Sequence, residues 1–94
     1  MLIERAELSI REGGEAEFAA MMQEKGVPLL AGIPGVHWVK FGRGVENPGK
    51  FMLLVHWDSM DVHKAYNAMP ECQTFRSWIG GYSVGGAMEH FEMD

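Results

Sequence analysis

Cysteine occurs once in this chain of 94 residues, at Cys72. A lone cysteine forms no internal disulfide and cannot start a zinc ribbon or finger. Basic residues are also few. Eight Lys and Arg stand against thirteen Asp and Glu, for a net charge of −5. No basic cluster occurs, so nucleic acid is not an expected partner. No run approaches the roughly 18 apolar residues of a membrane-spanning helix, and no membrane association is expected. Glu4, Arg5 and Glu7 put charge where a signal peptide carries its apolar stretch. The expectation is a cytoplasmic protein with a reduced thiol. No linker or low-complexity segment is present, and residues 1–94 read as one domain.

What is present has the balance of a globular protein, with 47% hydrophobic and 22% charged residues. Three Trp, two Tyr and five Phe rule out disorder. A chain of this length buries only about two-thirds of its unfolded surface, so its core gains from a partner. Eight methionines suit an irregular core or an adaptable cavity, and core filling is the simpler reading.

Leu2 to Ile10 alternates, with Leu2, Ala6, Leu8 and Ile10 on one face and Ile3, Arg5, Glu7 and Ser9 on the other. That is the period of a half-buried strand. Glu12-Gly13-Gly14 breaks it, and Glu15 to Lys25 reads as a helix with Phe18 and Met22 on one stripe. Gly26 and Pro28 interrupt that helix, and a further turn runs through Leu29-Leu30 to Pro34-Gly35. Val36 to Gly42 and Phe51 to Trp57 are strands two and three, joined by a hairpin connection. Strand three is apolar on both faces, which implies cover on two sides. Asp58-Ser59 caps a helix to about Met69, and Pro70 opens a second helical piece that ends at Gly80-Gly81. Gly85-Gly86 leads into a last strand, Ala87 to Met93.

The order β-α-β-β-α-β is the ferredoxin-like α+β arrangement, a four-stranded antiparallel sheet with helices on one face. The bare face then needs cover. A second copy related by a two-fold axis is the economical answer.

The chain resembles the antibiotic biosynthesis monooxygenase-like family of dimeric α/β-barrel proteins. The resemblance is carried by Gly13-Gly14 with Glu17-Phe18, and by Pro28-Leu29-Leu30 with Ile33-Pro34-Gly35-Val36. It continues through Arg43 to Pro48, Phe51 to Ser59 with its Trp-x-Ser ending, His63, Phe75-Arg76 and Glu89-His90-Phe91. It implies a homodimer whose two sheets form a barrel, with a small-molecule pocket between sheet and helices. Some members oxidise polycyclic phenols to quinones with molecular oxygen and neither metal nor flavin. Others degrade haem, process signalling molecules or have no assigned activity. The implied function is a cofactor-independent monooxygenase acting on an aromatic, quinol-like molecule. The alternative is a non-catalytic ligand-binding or sensing dimer.

His63 is the candidate base, because imidazole titrates near working pH; as a helix residue it is expected to be partly exposed. Tyr66, three residues on, shares its helix face and is expected to hold the substrate oxygen. Phe18, Met22, Phe75 and Trp78 are candidate pocket walls, although aromatics at helical spacing more often form ordinary core. His90 is the remaining pocket candidate; its neighbour Glu89 points to the opposite face. His37 and His56 read as structural strand histidines. Cys72, beside Glu71, reads as a buried structural thiol. The glycine pairs do not have the spacing of a phosphate loop.

The four histidines lack short ligand spacing, so no metal site is expected. Haem is the sharper alternative. The haem-degrading relatives place a His late in helix two, an Asn in strand one and a Trp in helix two. Here the late region reads Phe75-Arg76-Ser77-Trp78-Ile79, strand one has no Asn, and Tyr66 stands nearest the Trp position.

Overall fold

The structure, a computed structural model, describes residues 1–94. Strand β1 spans Leu2–Ile10, β2 Val36–Arg43, β3 Lys50–Trp57 and β4 Ser83–Glu92. They form one sheet in the order β2-β3-β1-β4, with every neighbouring pair antiparallel. Helices α1 (Glu15–Met21) and α2 (Val27–Ala31) follow β1, and α3 (Met60–Asn67) and α4 (Pro70–Gly80) follow β3. This is the expected ferredoxin-like α+β fold.

The sheet's helix-covered face follows from strand parity. Phe51, Leu53, Val55 and Trp57 are buried, while the intervening Lys50, Met52, Leu54 and His56 are half-buried. Phe18 and Met22 are fully buried against that inner row. The Phe18 ring meets the edge of Phe51 at 5.0 Å between centroids, and Phe41 stacks on Phe51 at 5.4 Å. Each such side chain contributes roughly 1.5–3 kcal/mol by leaving water.

Two expectations are corrected. Gly26 and Pro28 do not interrupt the first helix. Helical backbone continues from Glu15 to Ala31 because Met22–Gly26 forms a π-helical turn between α1 and α2. The wider turn accommodates Pro28, whose ring would meet the carbonyl four residues back in a regular α-helix. Strand β4 begins at Ser83 rather than Ala87, and Gly85 and Gly86 lie inside it, opposite Ser9 and Leu8.

Ser59 caps α3, its Oγ accepting from the Val62 amide at 3.2 Å. That start fixes which way His63 and Tyr66 face, and Gly35 supports it from the other side. Gly35 has φ +90°, and a Cβ there would collide with Val62. The outer sheet face carries a groove lined by Ile3, Trp38, Leu54, Phe91 and Met93. No helix of the structure is long and apolar enough to cross a membrane.

Candidate functional site

Between the inner face of β1, β3 and β4 and helices α3 and α4 lies a cavity of about 360 Å³. Leu53 and Val55 form part of its sheet wall, Phe75 and Ile79 its α4 wall, and Gly86 and Met88 its β4 side. Glu4, His63 and Tyr66 are also on the wall, among mainly apolar residues. A site of this shape suits a small, largely apolar ligand.

Strand register builds the polar end. Glu4 lies opposite Val55 on β3 and opposite His90 on β4. It therefore shares the inner face with Leu2 and Ala6, and only 7% of it is exposed. Trp57 Nε1–H donates to Glu4 Oε1 at 2.9 Å. From α3, His63 brings Nε2 to 3.3 Å from the same oxygen. His63 Nδ1 meets His90 Nε2 at 2.7 Å. With the His63 proton on Nε2, facing Glu4, Nδ1 accepts from His90 Nε2–H. The imidazole of His63 also stacks on Trp57, 4.3 Å between centroids and 14° from parallel. Glu4, His63 and His90 thus form a carboxylate–imidazole–imidazole chain from cavity wall to sheet edge.

Burial sets the acidities. Desolvation raises the Glu4 carboxyl above its usual range, held back by the Trp57 hydrogen bond and by His90. Desolvation, then the charge of His90, lowers His63 to about 4. Both shifts disfavour charge: Glu4 holds its proton more tightly, and His63 resists taking one. The Tyr66 hydroxyl is pushed upward, first by burial and then by Cys72. It stays protonated, and it is buried without a hydrogen-bond partner even though the Cys72 thiol lies near. A thiol is a poor acceptor, so the phenolic O–H remains available to a ligand.

His63, Tyr66 and Phe75, all singled out from the sequence, lie together on the cavity wall. His63 is not partly exposed as expected; it is buried, because α3 lays it on Trp57 beneath β4. Phe18 and Met22 are core residues away from this wall. Trp78 is half-buried outside it, with Lys25 Nζ 5.9 Å from its ring. His90 is not on the wall but sits directly behind His63. Glu89 points outward to Arg5, as the alternation requires. Cys72 is a buried free thiol.

Glu4 is the residue that sequence reasoning missed. Its position between Leu2 and Ala6 gives it core parity, and that was the available signal. Histidine spacing gives no reason to expect a metal site, yet three groups with ligand atoms do converge. Ligand atoms of Glu4, His63 and His90 lie within 4.8 Å of one another, brought together by strand pairing rather than sequence spacing. Both His63 nitrogens are already directed at the other two residues, so a cation would have to displace the His63–His90 contact.

The model of the antibiotic biosynthesis monooxygenase family matches residues 1–78. The chain belongs to that family. An uncharacterized protein of Bacillus subtilis (strain 168), YczJ, is 28% identical to it over 94 residues, covering 98% of each chain. Among solved structures, a Bordetella bronchiseptica protein provisionally named an antibiotic biosynthesis monooxygenase is similar at TM-score 0.88 and 25% identity, covering 99% of this chain and 96% of that one. A mutant of SnoaB, a cofactor-independent oxygenase from Streptomyces nogalater, shares the fold at TM-score 0.84 and 15% identity, over 98% of this chain and 91% of that one. The family and the fold together support a monooxygenase.

Proposed function

We propose that this protein is a cofactor-independent monooxygenase acting on an aromatic, quinol-like small molecule, as a homodimer of 94-residue, single-domain subunits. The observation that carries the reading is the apolar cavity with Glu4, His63 and Tyr66 at one end. Oxygenation without a cofactor needs an electron-rich substrate anion, so the protein must remove a proton, hold the ring and exclude water. Phe75 and the apolar sheet wall hold the ring. The substrate proton goes to Glu4, which His63 holds from behind, and the Tyr66 hydroxyl donates to the substrate oxygen.

An aryl CH₂ beside a ring system, with one O₂, gives the quinone carbonyl and one water. The substrate loses two electron pairs: one goes to the oxygen atom that becomes the carbonyl, the other reduces the second oxygen atom to water, and no external reductant is needed. The homodimer rests on the outer groove of Ile3, Trp38, Leu54, Phe91 and Met93, with Phe91 40% exposed and Met93 51%. A stable pair would bury on the order of 2,000 Å² in total. The test is oxygen consumption against a panel of anthrones and naphthols. Stoichiometric uptake supports the reading, and tight binding without uptake would make the protein a ligand-binding dimer instead.

A further inference from the structure

We propose that Glu4 and Tyr66 form a carbon-acid site that gives the protein an oxygen-independent keto–enol isomerisation of benzylic ketones held in the cavity. The inference deepens the reading above and rests on its assignment of the cavity as the substrate site.

Three geometric observations carry it. Trp57 Nε1–H and His63 Nε2 both approach Glu4 Oε1, at 2.9 and 3.3 Å, and Oε2 has no partner. Glu4 lines the cavity, so its spare oxygen is the basic atom available to a ligand. Both ring nitrogens of His63 are directed elsewhere, Nε2 at Glu4 and Nδ1 at His90. His63 therefore serves Glu4 rather than meeting the ligand with a free nitrogen. Tyr66, 5% exposed and also on the cavity wall, carries a buried hydroxyl with no hydrogen-bond partner. A buried unpaired O–H is unfavourable unless a ligand supplies the acceptor. A ketone carbonyl supplies one.

The chemistry closes on itself. Glu4 Oε2 takes the proton from the carbon beside the carbonyl. The C–H electron pair becomes the new C=C bond, and the carbonyl π pair moves onto oxygen, where Tyr66 O–H donates to the growing negative charge. The proton returns to oxygen or to carbon. Nothing is oxidised or reduced, so neither oxygen nor a cofactor takes part. Water entering the cavity exchanges the proton on Glu4 Oε2, while Trp57 Nε1–H and His63 Nε2–H hold Oε1 in place. Solvent hydrogen thereby reaches the substrate carbon.

The experiment is anaerobic exchange in D₂O with 2-tetralone as the probe, followed by mass spectrometry. Wild type, E4Q and Y66F are compared, with circular dichroism and denaturant midpoint as folding controls. E4Q keeps an acceptor for Trp57, and Y66F removes a hydroxyl that makes no bond, so both should fold. Deuterium should enter the ketone at least about 10²-fold faster with wild type than with E4Q, and about 10-fold faster than with Y66F. Exchange no faster than buffer, or unchanged in folded E4Q, overturns the inference. Oxygen uptake by wild type on the phenolic panel is measured separately. Uptake without exchange leaves the oxygenase reading standing and removes this one; exchange without uptake does the reverse.

Discussion

Glu4 and His90 face each other directly across the β1–β4 ladder, and His63 descends from α3 to touch both. The contact makes the site a property of the whole fold. Strand one supplies the carboxylate, the edge strand supplies one imidazole, and the helix between them in space supplies the other. Trp57 holds the assembly from β3, with its indole N–H on Glu4 and its ring under His63.

Replacing Trp57 by Phe keeps most of the packing and removes the donor to Glu4. Its side chain is almost wholly buried, at 1% exposure. Losing one donor to a buried carboxyl costs about 1–3 kcal/mol, and the unfolding free energy should fall by that amount, seen as a lower denaturant midpoint with the slope unchanged. The Glu4 carboxyl should shift further upward, as a carboxyl-region infrared titration would show.

The pH dependence of stability has a definite sign at His63. Its pKa is lowered to about 4 in the fold, against an ordinary value of 6.5. The unfolded chain therefore binds more protons between those values. The contribution of neutral His63 is fully present above pH 6.5 and is lost as pH falls toward 4. Glu4, raised by burial, acts in the opposite sense: its contribution favours the fold at low pH and fades as pH rises above 4.5. The difference between wild type and His63→Gln isolates the first effect. That difference should shrink by on the order of 1–3 kcal/mol on acidification from neutrality to pH 4. A pH-independent difference would show that His63 titrates normally.

Much of this fold is legible in the sequence, and the reason is periodicity. The alternation in Leu2 to Ile10 and Phe51 to Trp57, with the Ser59 cap, gives the β-α-β-β-α-β order. Tyr66 beside His63 follows from helical spacing. The carboxylate does not follow so easily. Glu4 has core parity, but a charge in a strand ordinarily faces water, and its partners lie 53 residues away at Trp57 and opposite it in register at His90. Pairing of strands one and four is a tertiary fact that no local pattern encodes. The contact of His63 with both Glu4 and His90 depends on the same pairing, whereas Phe18 is held away from the cavity by packing on Phe41, Phe51 and Tyr82. The π-turn before Pro28 is hidden for a different reason: proline and glycine normally end helices, and here the wider turn at Met22–Gly26, with Gly26 close against Met22 and Phe75, lets the chain keep winding.

Phe18 distinguishes core from cavity. With no exposed surface and edge contacts to Phe41, Phe51 and Tyr82, Phe18→Ala should cost about 3–5 kcal/mol, a large part of the stability of a domain this small. Phe75→Ala, on the cavity wall, should cost less and should weaken binding of bicyclic aromatics, read by fluorescence titration.

Gly35 should not tolerate a side chain. Its positive φ and its approach to Val62 both oppose a Cβ, and displacement of α3 would carry His63 with it. Gly35→Ala should lower stability by more than about 1 kcal/mol, as thermal melting would show.

The outer face gives the assembly prediction. Leu54→Lys places a charge in the groove shared with Trp38 and Phe91. Light scattering should show wild type as a dimer at micromolar concentration and the variant as a folded monomer.

Oxygen uptake by wild type and by His63→Gln, on an anthrone in air-saturated buffer, tests the central claim most directly. Wild type should consume one oxygen per quinone formed, and the variant should lose about 10²-fold or more of that rate while remaining a folded dimer. Full activity in the folded variant, or no uptake by wild type across the anthrone and naphthol panel, would contradict it.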